Sequence, residues 1–174
     1  MASTIKYKKV PGKLVASATL VALLGMGAAQ LYMDNVADFE GYVPEGYHDP
    51  VGIPTKCFGD IRDVVIGQEY SFEECTRSLN EQLVNHAGPI LKCVEGLNEA
   101  PDEVKAASAS MAYNIGVGGF CKSSVARYFN NGEWERGCRR MAEIYKTAKG
   151  KELPGLVKRR KTESKLCLKG LGLE

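Results

Sequence analysis

Hydrophobic and polar positions divide the chain into an uncharged stretch near its start and a longer amphipathic part behind it. Residues 14–33 run for twenty positions without a charge, with four lysines before them and Asp34, Asp38 and Glu40 directly after them. A helix of twenty residues spans about 30 Å, the thickness of a bilayer core. Because positive charge stays on the cytoplasmic side, the pattern predicts a signal-anchor helix whose N-terminus is cytoplasmic and whose following chain is exported.

The composition of this stretch bears on what kind of membrane segment it is. Half of its positions are small or polar residues, so it is only weakly apolar. Three interpretations are open: a cleaved signal peptide, a permanent anchor, and a weak anchor that is retained. Gly27-Ala28-Ala29 would supply a cleavage site, but the apolar run continues to Met33, which is long for a signal peptide. The composition favours the retained weak anchor.

Directly behind the uncharged stretch, residues 40–55 are rich in glycine and proline, which exclude a helix. Turn residues at two points predict a small antiparallel hairpin with short strand pieces between them. Glu40, Asp49 and Thr55 thus bring two carboxylates and a hydroxyl to one rigid segment. That combination suits acid/base hydrolysis, although two acids near a turn are more often solvated surface residues.

The rest of the chain predicts helices. Ser71 and Glu74 form a capping box at the start of one, and Gly116 is placed to end another. The predicted helices cover residues 71–91, 101–115, 121–130, 133–148 and 154–168. We therefore predict an α+β fold, with a small β-hairpin lobe and a mainly α-helical lobe in one domain at 36–174, preceded by the membrane segment at 1–35.

Charge and motif content exclude several classes of function. The net charge of +2 comes without the clustered basic face that nucleic-acid binding requires. The glycines at 116–119 follow a helix and precede no Lys-Ser/Thr pair, so we interpret them as an interhelical turn rather than a phosphate loop. Two histidines and the absence of a C-x-x-C pair predict neither a metal site nor a cofactor.

Six cysteines follow the uncharged stretch. An even count in an exported small domain indicates disulfides formed in an oxidising compartment. Six cysteines allow about fifteen connectivities. Pairing of sequence neighbours is the arrangement we favour: Cys57–Cys75, Cys93–Cys121 and Cys138–Cys167.

Three motifs in order resemble the phage-type lysozymes, glycoside hydrolase family 24. Eight residues separate Glu40 from Asp49 and five separate Asp49 from Thr55, as in that family's Glu/Asp/Thr triad. The segment 112–120 is similar to its A-x-N-x-G-x-G-x-F motif, and 155–163 is similar to its G-L-x-x-R-R-x-x-E helix. The likeness covers residues 36–169.

The resemblance implies a lysozyme-like fold and hydrolysis of the β-1,4 bond between N-acetylmuramic acid and N-acetylglucosamine in peptidoglycan. Such chemistry needs one protonated and one ionised carboxyl beside the scissile bond. Glu40 is the implied general acid, Asp49 the implied base or charge stabiliser, and Thr55 the residue that positions water. Inversion is implied, although the distance between the carboxyls decides it. Supporting roles in binding or positioning are expected of His48, Asn114, Arg159 and Arg160.

The N-terminus in turn resembles the signal-arrest-release segments of endolysins from phages of Gram-negative hosts. The resemblance implies an enzyme held inactive in the host inner membrane through residues 14–33, then released to the periplasm as a monomer. Residues 14–33 contain no cysteine, so activation by thiol exchange from this segment is excluded. Release would let part of the segment pack on the body and orient Glu40.

Two alternatives remain: a secreted lysozyme with a cleaved signal, and a non-catalytic membrane-tethered protein that binds peptidoglycan. One departure from the family also stands out, because Lys56-Cys57-Phe58-Gly59-Asp60 follows Thr55 where the family often has Gly-His. That departure bears on substrate contacts rather than on the reaction.

Overall fold

The computed structural model describes residues 5–148 and 150–174. Its strands form two separate antiparallel hairpins, and most of the remaining elements are helices, so the α+β prediction is confirmed. In chain order the elements are α1 (Ala18–Leu24), α2 (Met26–Glu40), β1 (Val43–His48), β2 (Pro54–Cys57), α3 (Phe72–Cys93), a 3-10 turn (Leu97–Glu99), α4 (Asp102–Ile115), α5 (Val117–Cys121), α6 (Ser124–Asn130), α7 (Trp134–Met141), β3 (Thr147–Ala148), β4 (Lys151–Glu152) and α8 (Pro154–Gly170).

The uncharged stretch forms two helices where one was predicted. Helices α1 and α2 meet at Gly25 and are bent by 114°. Gly25 has φ of +86°, a backbone conformation that glycine adopts without steric cost. Within the described residues no single helix is long and apolar enough to cross a membrane. Taken together, α1 and α2 have the length and apolar composition of a membrane span. The predicted continuous transmembrane helix is therefore not confirmed.

Both N-terminal helices belong to the hydrophobic core. Leu20, Leu24, Tyr32 and Met33 are at most 1% exposed and join the same cluster as the buried residues of α3 and α4. Helix α2 packs mainly on α4, where alanines on both helices are fully buried. Small side chains let two helices lie close together at interior packing density. Most of the uncharged stretch is thus an integral part of the folded body.

The β-hairpin lobe directly follows α2. Strand β1 pairs antiparallel with β2, with Tyr47 opposite Thr55 and His48 opposite Pro54, and an irregularity interrupts the register between Val43 and Tyr47. The predicted strand pieces are therefore parts of one longer strand and its partner. The hairpin turn lies at residues 49–53, so Asp49 begins the turn and Thr55 follows it on β2.

Two of the predicted helix ends are confirmed. The Ser71 side chain accepts a hydrogen bond from the Glu74 amide, and the Glu74 carboxylate accepts one from the Ser71 amide, which completes the capping box of α3. Gly116 ends α4 with φ of +81°.

Three element bounds differ from the prediction. The glycines after Gly116 do not form only a turn, because Val117–Cys121 is the short helix α5. The helix predicted over 121–130 begins later, as α6 at Ser124–Asn130. Helix α7 ends at Met141 rather than at residue 148. Tyr145 takes a positive φ of 52°, which a continuing helix does not allow, and the following residues form the β3–β4 hairpin.

Three disulfides join the elements, in the pairs that sequence proximity favoured. They link β2 to α3, α3 to α5, and α7 to α8, through Cys57–Cys75, Cys93–Cys121 and Cys138–Cys167. Loops of this size give about 3 kcal/mol of stabilisation per disulfide in the chain-entropy description. The first of these disulfides fastens the β-hairpin lobe to the helical lobe.

Candidate active site

Glu40 lies at the junction of the two lobes, as the last residue of α2. Gly41 follows with φ of +74° and turns the chain from the helix into β1. The Glu40 side chain is 25% exposed, and its Oε1 lies 2.7 Å from Nη1 of Arg159. On its other side it faces Gly59 in the loop after β2, where an added Cβ would lie 3.5 Å from Oε2. Glu40 thus stands in a polar, ion-paired setting between the helical lobe and the hairpin lobe.

Arg159 belongs to a buried charge cluster on α8. Residues 159, 160 and 163 share one helix face because they are three and four positions apart. Arg159 Nε lies 3.2 Å from Glu163 Oε1, and Arg160 Nη1 lies 2.8 Å from Glu163 Oε2. The latter contact is an ion pair without hydrogen-bond alignment. Ser110 of α4 donates a 2.8 Å hydrogen bond to Glu163.

Both arginines of this cluster are buried, since Arg159 is 5% and Arg160 0% exposed. Burial raises the pKa of Glu163, and the positive charges of Arg160 and Arg159 oppose that rise. Breaking one partner of such a buried pair typically costs about 3–5 kcal/mol. The cluster therefore gives Arg159 a fixed position from which it contacts Glu40.

Arg160 takes a different direction from its neighbour. Its Nη2 donates to the Oδ1 of Asn114, near the end of α4. Arg159 and Arg160 are thus joined through Glu163, but of the two it is Arg159 that contacts Glu40. Asn114 is exposed, and its side chain is fixed by the hydrogen bond from buried Arg160.

Asp49 is fixed by the hairpin turn. Its Oδ1 accepts hydrogen bonds from the amides of Val51 and Ile53, at 2.9 and 2.8 Å. Its own amide donates to the carbonyl of Ile53 at 2.9 Å. Aspartate favours this arrangement because its short side chain bonds the backbone two residues on. The second carboxylate oxygen, Oδ2, takes part in neither of these turn bonds.

Thr55 is buried on β2, with 5% of its surface exposed. Its hydroxyl donates a 2.9 Å hydrogen bond to the carbonyl of Ile53, in the same turn that holds Asp49. A hydroxyl that donates in this way keeps lone pairs that can accept a hydrogen bond. Asp49 and Thr55 are therefore positioned by one hairpin turn. His48, at the end of β1 beside Asp49, is exposed.

Tyr47 on β1 is affected electrostatically by both predicted catalytic carboxylates. Burial raises the pKa of Tyr47, and the neighbouring Tyr7, Asp49 and Glu40 raise it further. Both carboxylates thus lie within electrostatic reach of one phenol on β1. Asp49 and Thr55 are held by the same hairpin turn, and Glu40 is joined to the start of that hairpin through Gly41.

Two tyrosines around Glu40 were missed in the sequence analysis. Tyr32 is fully buried on the helix that carries Glu40. Burial raises the pKa of Tyr113, and the Glu40 charge adds to that rise. Tyr113 of α4 donates a 3.2 Å hydrogen bond to Gln82 of α3. Tyr113 stands inside the 112–120 motif, which is a usable signal. Tyr32 offered none, because it lies in the uncharged stretch that pattern alone assigns to a bilayer.

A family description named phage lysozyme matches residues 37–163, which include all three predicted catalytic residues and the α8 cluster. The chain belongs to the phage lysozyme family. The match begins within α2 and leaves α1 outside. Helix α2 therefore contains both the end of the uncharged stretch and the start of the family match, which includes Glu40.

Individual relatives agree with this family. The SAR-endolysin of Enterobacteria phage P21 is 33% identical over 130 residues, which cover 74% of this phage lysozyme and 76% of the relative. The SAR-endolysin of Escherichia phage Mu is 28% identical over 165 residues, covering 88% and 90%. The crystal structure of the active form of P1 phage endolysin Lyz superposes with a TM-score of 0.75 at 22% identity, covering 92% of this chain and 98% of that one. The lysozyme-like fold is thereby confirmed.

Proposed function

We propose that this phage lysozyme is an endolysin that cleaves the β-1,4 bond between N-acetylmuramic acid and N-acetylglucosamine in peptidoglycan and so lyses its host cell. The observation that carries the proposal is the Glu40 carboxyl, held at the lobe junction by the 2.7 Å contact with buried Arg159 and facing Gly59 in the loop after β2. Family membership and the relatives called SAR-endolysins support the same activity.

In this mechanism Glu40 is the general acid. Arg159 is a positioning residue that holds Oε1, which leaves Oε2 to carry the proton toward the leaving glycosidic oxygen. Asp49 is the general base. Its Oδ1 is held by the turn, so Oδ2 accepts the proton of the attacking water while Thr55 accepts that water's other hydrogen. Water adds to the anomeric carbon as the bond to the leaving oxygen breaks, which inverts the anomeric centre.

Substitution of the general acid tests this assignment. Glu40→Gln keeps the shape of the side chain but removes the proton donor, so hydrolysis should fall by at least about 100-fold. The assay is release of new reducing ends from purified sacculi. Glu95→Gln is the matched control, because Glu95 is exposed on the helical lobe after α3. Unchanged hydrolysis by Glu40→Gln would refute Glu40 as the general acid, and no hydrolysis by the unsubstituted protein would indicate a non-catalytic peptidoglycan-binding protein instead.

We further propose that residues 14–33 first hold the chain in the host inner membrane, with the N-terminus cytoplasmic and the catalytic part periplasmic. Only six residues separate Met33 from Glu40, a reach of about 20 Å when extended. In the bilayer, most of α2 would be unable to pack on α4, and Glu40 would lie away from Arg159. The division into residues 1–35 and 36–174 describes this tethered state.

Polar contacts in the packed form support release from the membrane. Gln30 donates to the carbonyl of Leu14 at 3.1 Å and accepts from the amide of Ala16 at 3.3 Å. Asn80 of α3 accepts from the amide of Ser17 at 2.7 Å and donates to the carbonyl of Val15 at 3.1 Å. The span therefore has specific partners on the body, whereas an unpaired glutamine side chain in hydrocarbon is costly. After release the enzyme acts as a periplasmic monomer.

The alternative of a cleaved signal predicts a shorter protein. A cut after Ala29 would remove α1 and the first turn of α2, including Leu20 and Leu24, which are 0% and 1% exposed. Loss of two such core leucines would cost several kcal/mol, about 2–5 for each. The intact mass of the released enzyme decides, because the full chain is 18.9 kDa.

A further inference from the structure

The residues before the uncharged stretch also contact the catalytic lobe. We call residues 5–10 the N-terminal strap. The strap runs antiparallel beside the start of β1, where the amide of Lys8 donates a 2.8 Å hydrogen bond to the carbonyl of Tyr42. Lys6 and Lys8 line a small cavity with Val43 and Pro44. The strap therefore adds a short extended segment to the hairpin lobe.

Tyr7 of the strap contacts the residue that follows the proposed catalytic acid. Its ring lies over Gly41, the residue directly after Glu40. A Cβ added at Gly41 would overlap this ring and lie 2.7 Å from Cε1. Successive side chains of an extended segment point to opposite faces, so Tyr7 faces away from the cavity that Lys6 and Lys8 line. Because Gly41 has no side chain, the Tyr7 ring can lie at this position.

The Tyr7 ring is nevertheless largely open to solvent. Residue Tyr7 is 61% exposed. The part of its ring that does not cover Gly41 can therefore contact a ligand. Burial raises the pKa of Tyr47, and Tyr7, Asp49 and Glu40 raise it further. Tyr7 thus lies near the tyrosine whose pKa is affected by both proposed catalytic carboxylates.

We propose that Tyr7 is a substrate-positioning residue whose exposed ring packs against an N-acetylated sugar ring of the glycan strand, next to the bond that Glu40 protonates. This inference rests on the proposed function. Aromatic rings offer a large apolar face, and tyrosine keeps a polar end for water or a sugar hydroxyl. Both properties suit the amphipathic surface of a pyranose.

The contact between Tyr7 and Gly41 can form only when residues 14–33 are outside the membrane. While residues 14–33 span the bilayer, the strap lies on the cytoplasmic side, about 30 Å of hydrocarbon away from the periplasmic lobe. Tyr7 reaches Gly41 only after the whole segment has left the membrane. Release therefore completes the substrate cleft with a residue from the other side of the membrane, besides folding the helix that carries Glu40.

Steady-state hydrolysis of purified sacculi by the released full-length enzyme tests the proposal. Tyr7→Ala should raise the apparent KM by roughly 3- to 10-fold, the effect of losing one aromatic contact, with kcat changed by less than about twofold. Tyr7→Phe should retain most of the affinity because it keeps the ring. Lys9→Ala is the matched control, since Lys9 is exposed on the same strap. All three should keep their Tm within about 2 °C, as expected of surface substitutions.

A second measurement separates binding from turnover. In the Glu40→Gln background, adding Tyr7→Ala should weaken co-sedimentation with sacculi by the same roughly 3- to 10-fold. An unchanged KM and unchanged sedimentation would overturn the proposal. A rise in kcat for Tyr7→Ala would overturn it in favour of a strap that covers the cleft, and a joint fall of kcat and Tm would make Tyr7 a structural residue. Either result leaves the role of Glu40 standing, whereas the absence of hydrolysis by the unsubstituted enzyme would refute the proposed function itself.

Discussion

Gly27 offers a direct perturbation of the step from tethered to packed enzyme. In the packed form the Asp102 carboxylate at the start of α4 lies against Gly27, near the start of α2. A Cβ added at residue 27 would overlap Asp102 Oδ2 and lie 3.0 Å from its Cγ. Asp102 Oδ1 is itself held 3.0 Å from Lys105 Nζ, so the carboxylate cannot turn away without losing that ion pair. In the bilayer, residue 27 is far from Asp102 and no such overlap exists.

The magnitude follows from that difference. Gly→Ala raises helix propensity by about 1 kcal/mol, but residue 27 is helical in both states, so this gain largely cancels. What remains is the displacement of the half-exposed Asp102 carboxylate and the loss of its ion pair with Lys105, about 0.5–1 kcal/mol. Gly27→Ala should therefore shift the equilibrium toward the membrane-bound form by roughly 2- to 5-fold.

The assay follows the location and activity of the protein in the same samples. Cells expressing wild type or Gly27→Ala are fractionated at intervals after a depolarising agent is added, and both fractions are scored for the protein and for sacculus hydrolysis. Wild type should move to the soluble fraction and gain activity. Gly27→Ala should remain in the membrane longer, inactive, and lyse cells late.

Two controls make the result specific. Gly88→Ala in the middle of α3 also raises helix propensity, and an added Cβ there has no atom within 4 Å; it should release normally. Combining Gly27→Ala with Asp102→Ala removes the overlapping carboxylate and should restore part of the release. Normal timing for Gly27→Ala, or no rescue by Asp102→Ala, would refute the steric argument.

Three further predictions address the packed enzyme. Asn80→Ala removes the hydrogen bonds to residues 15 and 17, so the free energy of unfolding should fall by about 2 kcal/mol, lowering Tm by about 4–8 °C in a melting experiment; an unchanged Tm would mean that the segment needs no such anchor. Arg159→Lys cannot bridge Glu40 and Glu163 with one planar fork, so kcat on sacculi should fall by roughly 10- to 100-fold, more than KM changes. Burial of Asp60 raises its pKa, but hydrogen bonds from Arg62 and Ser78 outweigh this and lower it below 3.8. The stability that Asp60 contributes is thus complete above pH 4 and lost as pH falls through the lowered pKa, so Tm measured from pH 7 to pH 3 should decline less steeply in Asp60→Asn.

Local signals in the sequence predicted local structure well. The capping hydrogen bonds of Ser71 and Glu74 join only these two residues, so four residues suffice to recognise the start of α3. The spacing of Asp49 and Thr55 is likewise set by one hairpin turn, which glycine and proline mark in the sequence. These features need no knowledge of distant contacts.

Features that depend on distant partners were harder to predict. An arginine pair on a polar helix looks solvated, and its burial follows from Ser110 and Glu40, which are 49 and 119 positions away from Arg159. The bend at Gly25 has the same origin, because twenty uncharged residues fit a bilayer and a protein core equally well. What separates the two is the surface of α3 and α4 that receives the helices. Tyr7 could not be placed for that reason, since its partner Gly41 lies beyond the whole segment.

The most direct test of the central claim measures the mass, location and activity of one protein before and after membrane depolarisation. We predict an inactive full-length chain of 18.9 kDa in the membrane fraction before, and the same mass, soluble and active on sacculi, after. A soluble active species shortened by about 29 residues would indicate signal cleavage. Full activity in the membrane fraction before depolarisation would contradict the claim that release places Glu40 against Arg159.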